Sequence, residues 1–139
     1  MNERPATMLR ILAGPSIILL AALIAISPEL VRGASCGHDY DFHLVSWFDA
    51  LASWHQGVIY PHWTPSPNYE AGEPRFIFYP PLTWMLGAAL GALMNWQWVS
   101  VAMTWLMLAG AGLAVYLLAR QVLPRAQSTV AGCVALYSG

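Results

Sequence analysis

The stretch VSVAMTWLMLAGAGLAVYLL, Val99 to Leu118, runs twenty residues without a charged side chain. A helix of that length covers about 30 Å, the thickness of the hydrocarbon core of a bilayer. It reads as a membrane crossing, and the rest of the chain is organised around it. Of 139 residues 58% are hydrophobic and only 9% charged, and none is lysine. Soluble domains carry roughly a quarter charged residues, so this surface could not be solvated on every side. The net charge of −1, with six scattered arginines and no basic stripe, argues against nucleic acid. Membrane lipid is the expected partner. Cys36 and Cys133 lie far apart, one in a polar loop and one in an apolar run, which disfavours a disulfide framework.

Upstream, Ile11 to Ile26 is apolar, preceded by Arg4 and Arg10 and followed by Pro28-Glu29. It predicts a first crossing over about residues 11–28, read as an uncleaved anchor in preference to a signal peptide. Pro80-Pro81 opens a second apolar helix, over about 79–95, and Asn95-Trp96-Gln97-Trp98 marks an interface. The third crossing is about 98–118. After the short basic loop Arg120 to Arg125, a fourth begins over about 128–139 and stops short of a full span. Gly87-x-x-x-Gly91 and the cluster Ala109, Gly110, Gly112 and Ala114 suit close helix packing. The expected fold is all-α: a multi-pass transmembrane helix bundle in the cell membrane, here as the N-terminal three or four segments of a longer protein.

Residues 29–78 differ in kind. They hold all four histidines, six of the seven acidic residues and four of the ten prolines. They predict a large structured first loop, too polar for lipid and too long for a plain connector. Within it His43 to Gly57 has helical periodicity. Leu44, Trp47, Phe48, Leu51, Trp54 and Val58 share one face, with Ser46, Asp49, Ser53 and Gln56 opposite. This predicts an amphipathic helix in the membrane interface, stopped at Gly57. From Ile59 to Pro81 an extended, turn-rich segment should fold back onto it.

Arg4 and Arg10 place the N-terminus in the cytoplasm and the loop outside. Simple alternation then carries Arg120 and Arg125 outside, against the positive-inside rule. Either packing overrides the rule or Leu82 to Met94 is re-entrant; the interface at 95–98 favours the override.

The densest polar cluster is Gly37-His38-Asp39-Tyr40-Asp41-Phe42-His43. Its two carboxylates and two imidazoles can supply a general base or hold a divalent metal ion through His38, Asp39, Asp41 and His43. Against this stands a capping role, with Asp41 the N-cap of a helix from Phe42 and Asp39 acting on its dipole. Arg75 is the one cation from Gly33 to Ala119. It suits a lipid phosphate or pyrophosphate, or else pairs with Glu73 or Glu70. Trp63, Tyr69, Phe76 and Tyr79 can stack on sugar rings, as can any interfacial aromatic belt sit in a headgroup layer.

Asp39-x-x-x-His43, Gly57-x-x-Tyr60-Pro61-x-Trp63, Gly72-x-Pro74 and Phe78-Tyr79-Pro80-Pro81 occur in that order. With an acidic residue just after the first crossing, they resemble a bacterial multi-pass family labelled 6-pyruvoyl-tetrahydropterin synthase-related, over roughly Ser35 to Gly139. That family is similar to the GT-C glycosyltransferases, which use polyprenyl-phosphate-linked sugars and carry an acidic catalytic residue on a large first outer loop. The resemblance implies Asp39 as catalytic residue with Asp41 second, and His43, Tyr60, Trp63, Arg75 and Tyr79 at the substrate. His62 stands where relatives commonly have arginine, and Glu70-Ala71 where a glycine-rich turn is usual, which weakens phosphate binding in this loop. A non-enzymatic membrane scaffold or binding protein of the same fold is the alternative. A transporter module is disfavoured because residues 11–28 and 99–118 hold no charge.

Overall fold

The structure is a computed structural model and describes residues 4–34, 37 and 39–138. It is all-α, with no strand among the described residues. In chain order the helices are α1 (Arg4–Ala25), α2 (Ser27–Arg32), α3 (Tyr40–His55), α4 (Arg75–Phe78), α5 (Pro81–Leu93), α6 (Trp96–Ala119) and α7 (Arg125–Ala135). Among the described residues only α6 is long and apolar enough to cross a membrane, with a mean hydropathy of 1.9; Ile11–Ala25 and Pro81–Leu93 are shorter apolar helices. The chain divides into two compact units, Met1–Arg32 with Thr104–Gly139, and Gly33–Met103.

In the first unit small residues set the register. A Cβ on Gly14 would lie 2.8 Å from Thr129 Oγ1 and 3.0 Å from the Tyr116 ring. One on Gly112 would lie 2.8 Å from Ile18 and 3.1 Å from the Gly132 carbonyl. Gly14 and Ile18 thus meet Thr129 and Gly132 in ascending order, and Tyr116 and Gly112 in descending order. So α7 runs parallel to α1, and α6 antiparallel. Ala22, Ala109 and Leu136 close the core, with Trp105 packed against them and its indole N–H directed at the Leu19 carbonyl, 3.4 Å away. Such close backbone approach through glycine is how helices associate where burial from water does not drive them. One consequence bears on topology: the start of α1 and the turn from Arg120 to Arg125 stand at the same end of this unit.

In the second unit α3 packs on α5. The Trp47 indole fills the place a side chain on Gly87 would occupy, and the Phe48 and Trp96 rings stack with centroids 3.8 Å apart. Helix α3 begins earlier than the sequence predicts. The Tyr40 N–H donates to Gly37 O and the His43 N–H to Asp39 O, both at 3.1 Å, so Asp39 holds the N-cap position and Asp41 falls in the first turn. Neither is the predicted cap: Asp39 makes no side-chain capping bond. The stop at Gly57 has its expected form. Gly57 has φ 85°, and Gly57 N–H and Val58 N–H donate to Trp54 O and Ser53 O, a Schellman closure.

The predicted faces of α3 are corrected. Ser46 is 4% and Asp49 5% exposed, whereas Phe48 is 43% exposed. The first half of the supposed solvent face is covered because Ser66 bonds Asp49 and Arg75 bonds Ser46, while Ser53 is half-buried and Gln56 exposed. The Thr64 and Glu73 backbones pair in an antiparallel bridge (2.9 and 3.0 Å) that closes this segment. At its tip Asn68, Tyr69 and Glu70 have φ of 57°, 57° and 68°. Gly72, at φ 74°, has the Trp63 indole where a Cβ would stand. Helix α5 opens on Pro81, whose missing N–H costs nothing in a first turn.

Candidate functional site

The first turn of α3 is held by one arginine. Arg75, 7% exposed, pairs through Nε with Glu73. Its Nη1 donates to the Phe42 carbonyl and to Ser46 Oγ, both at 2.8 Å, and Ser46 Oγ donates to the same carbonyl at 2.7 Å. The guanidinium carbon lies 3.8 Å from the centre of the Phe42 ring, a cation–π contact. The Tyr79 ring also meets that ring, at 4.8 Å between centroids. The charge is therefore fully engaged by a carboxylate, a carbonyl, a hydroxyl and a ring. Of the two roles the sequence left open for Arg75, pairing with Glu73 is what the geometry contains.

Around this anchor the acidic start of α3 faces outward. Asp39, Asp41 and His43 are exposed. The His43 ring stands edge-on to Phe42 at 5.5 Å and parallel to Trp47 at 6.4 Å. Tyr40 reaches back, its hydroxyl 3.4 Å from Ser100 Oγ. His43, Arg75 and Tyr79 thus meet the Phe42 ring, with Asp41 next to it in the chain and Asp39 one turn before His43. Tyr60 and Trp63 do not join them through any contact described. Tyr60 packs edge-on against Trp84 at 5.4 Å, beside Phe76 at 4.7 Å from the same ring, and Trp63 lies against Gly72. Among the described residues no three His, Cys, Asp or Glu side chains are arranged to hold a metal ion. His38, the fourth predicted donor, lies outside the described residues. So does Cys36, while Cys133 is a free thiol.

Sequence reasoning offered the Arg75–Glu73 pair but missed the rest of the polar seam beneath this surface. Asp49 accepts from Ser66, Arg75 joins Glu73 to Ser46, and Asn68 Nδ2 donates to Gly72 O at 3.2 Å. A signal existed: the one cation of this stretch had to find an acid, and Ser46, Asp49 and Ser53 repeat along one face. Trp84, with its indole nitrogen buried and no hydrogen-bond partner, was not singled out either. No protein-family model, curated protein or solved structure matches this chain.

Proposed function

We propose that the protein is a multi-pass, glycosyltransferase-like protein of the cell membrane, transferring sugar from a polyprenyl-phosphate-linked donor at the outer face. Membrane insertion is supported by α6 and by Leu20, Ile24, Leu117, Leu118 and Val130, each more than half exposed on the first unit. Orientation is supported by the parallel course of α1 and α7. Arg4 and Arg10 then share one end with Arg120 and Arg125, and the positive-inside rule is met with all four in the cytoplasm. The chain between α1 and α6 then leaves and returns on the outer side. Helix α5, thirteen residues and about 20 Å long, has no need to cross.

The observation that carries the catalytic proposal is the exposure of Asp39 and Asp41 at the start of α3, in the same turn as Phe42, whose ring meets Tyr79. Asp39 accepts the proton of an acceptor hydroxyl as its oxygen bonds to the anomeric carbon. The carbon–oxygen bond to phosphate breaks, and its electron pair leaves with the polyprenyl phosphate. Asp39→Asn in the full-length protein, assayed with polyprenyl-phosphate-linked sugar in membrane vesicles, tests this. Transfer should fall by at least about a hundredfold, the usual worth of a general base; unchanged transfer removes Asp39 from the role. The second reading, a non-enzymatic scaffold or binding protein, is favoured by the burial of Arg75 in internal bonds. Under it, replacing Asp39 and Asp41 alters thermal stability and nothing else.

A further inference from the structure

Beside the seam of α1 and α7 lies an open groove of about 500 Å³. Its floor is small, with Ala13, Gly14 and Ala126; its walls are Ile17, Val130 and Val134. These three aliphatic residues are 51%, 62% and 61% exposed, so carbon faces outward along the whole groove. The Thr129 hydroxyl donates its proton to the Arg125 carbonyl at 2.9 Å and so has none to give an anion. Among the described residues no carboxylate lines it, and one end carries Arg125. Arg120 stands at the same turn, its Nη1 tying the Leu123 carbonyl at 2.7 Å.

Length and charge together select an occupant. From Arg125 to Val134 the groove follows α7 for about 14 Å at 1.5 Å per residue. That is about half of a hydrocarbon core of roughly 30 Å, one leaflet. Its charged end coincides with the arginine-bearing end of the unit, where Gly14 opposite Thr129 sets Arg10 and Arg125 each one turn earlier. The cytoplasmic leaflet carries anionic lipid, and basic sites between membrane helices on that side capture its headgroups. We infer that this groove holds one acyl chain of an anionic glycerophospholipid of the cytoplasmic leaflet, with the phosphate at Arg125. The assignment rests on the membrane orientation proposed above. Among the described residues the groove's own surface holds no carboxylate, so a second copy meeting it there would bring none to Arg125, whereas a lipid phosphate does.

The test uses the full chain in nanodiscs holding equal phosphatidylglycerol and phosphatidylcholine of identical acyl chains, read by native mass spectrometry after release. One retained phosphatidylglycerol is expected. Arg125→Gln should weaken that preference about fivefold, the factor one basic side chain at a membrane surface is worth, and Val130→Trp should displace both lipids by filling the groove. Alkylation of Cys133, which lines the groove, should slow in phosphatidylglycerol relative to phosphatidylcholine when Cys36 is replaced by serine. Equal retention of the two lipids overturns the assignment. So does an Arg125→Gln variant with unchanged preference, or a Cys133–Cys133 cross-link showing a second copy in the groove. A chain recovered outside the membrane fraction overturns the membrane reading itself, which separates the two failures.

Discussion

Asp49 accepts two hydrogen bonds from Ser66, from the backbone amide at 3.1 Å and from the hydroxyl at 2.5 Å. Seventeen residues separate them, and the pair pins the loop over the middle of α3 as Arg75 pins it over the first turn. Asp49 is buried and Ser66 exposed, so removing the carboxylate deletes two bonds to a charged group while the Ser66 amide can turn to water. Asp49→Ala should cost about 1.5–3 kcal/mol, the worth of hydrogen bonding to a charged group, read as a loss in thermal unfolding of the detergent-solubilised protein. Ser66→Ala should cost less, because the Ser66 amide still reaches Asp49. The double variant should fall short of the sum, as contacting pairs do. Additive losses would show that the two side chains do not act on each other.

Arg75 joins three parts of the second unit, and its planar fork is the feature lysine lacks. Arg75→Ala leaves the Glu73 carboxylate without its cation and the Ser46 hydroxyl without its donor, while the Phe42 carbonyl keeps the bond from Ser46. About 3 kcal/mol is expected, in the range for breaking a buried ion pair. Arg75→Lys should recover less than half, since one ammonium cannot meet Nε and Nη1 acceptors together. Glu73→Gln should cost clearly less, because Glu73 is a third exposed and keeps an acceptor oxygen. Full stability in the lysine variant would contradict the geometry and restore a role for this charge at a ligand.

Asn68, Tyr69 and Glu70 form three successive left-handed residues, none of them glycine. Each such residue costs roughly 1–2 kcal/mol relative to right-handed backbone. Glycine removes that cost but loses about 0.5–1 kcal/mol through the freedom of the unfolded chain. The Tyr69 side chain is wholly exposed and contributes no packing to offset it. Tyr69→Gly should therefore stabilise the protein, by up to about 1 kcal/mol, as a rise in the unfolding midpoint. A fall would mean that the ring holds the turn in place.

Much of the helical layout was legible because hydropathy and stop signals are local. The apolar run of α6, the glycine ending α3 and the proline opening α5 act within a few residues of themselves. Which face of α3 is covered was not legible. Periodicity says that Ser46, Asp49 and Ser53 share a face, but what lies over them is decided by Ser66 and Arg75, much farther along the chain. The same holds for the candidate site. Asp39, Asp41 and His43 are neighbours by spacing, whereas Arg75 and Tyr79 reach Phe42 only through the fold. Helix α5 shows the limit from the other side: Leu, Ala, Gly and Trp read alike whether lipid or the Trp47 indole covers them.

The path of the chain between α1 and α6 separates the orientation proposed above from simple alternation. Alternation takes α5 through the membrane and puts Asn95 in the cytoplasm. The parallel course of α1 and α7 instead gathers Arg4, Arg10, Arg120 and Arg125 at one end, and a chain oriented by those charges keeps α5 outside. Asn95 is exposed at the turn into α6, and Val122 is exposed in the basic turn after it. Asn95→Cys and Val122→Cys, each with Cys36 and Cys133 replaced by serine, can be labelled in intact cells by a membrane-impermeant maleimide. Asn95→Cys should react with cells intact, and Val122→Cys only after lysis. The reverse pattern would return α5 to a full crossing and put the two downstream arginines outside, against the charge rule. Arg120→Glu with Arg125→Glu sharpens the comparison. If those charges help hold the orientation, the double variant should begin to label at Val122→Cys in intact cells while Arg4 and Arg10 stay in place.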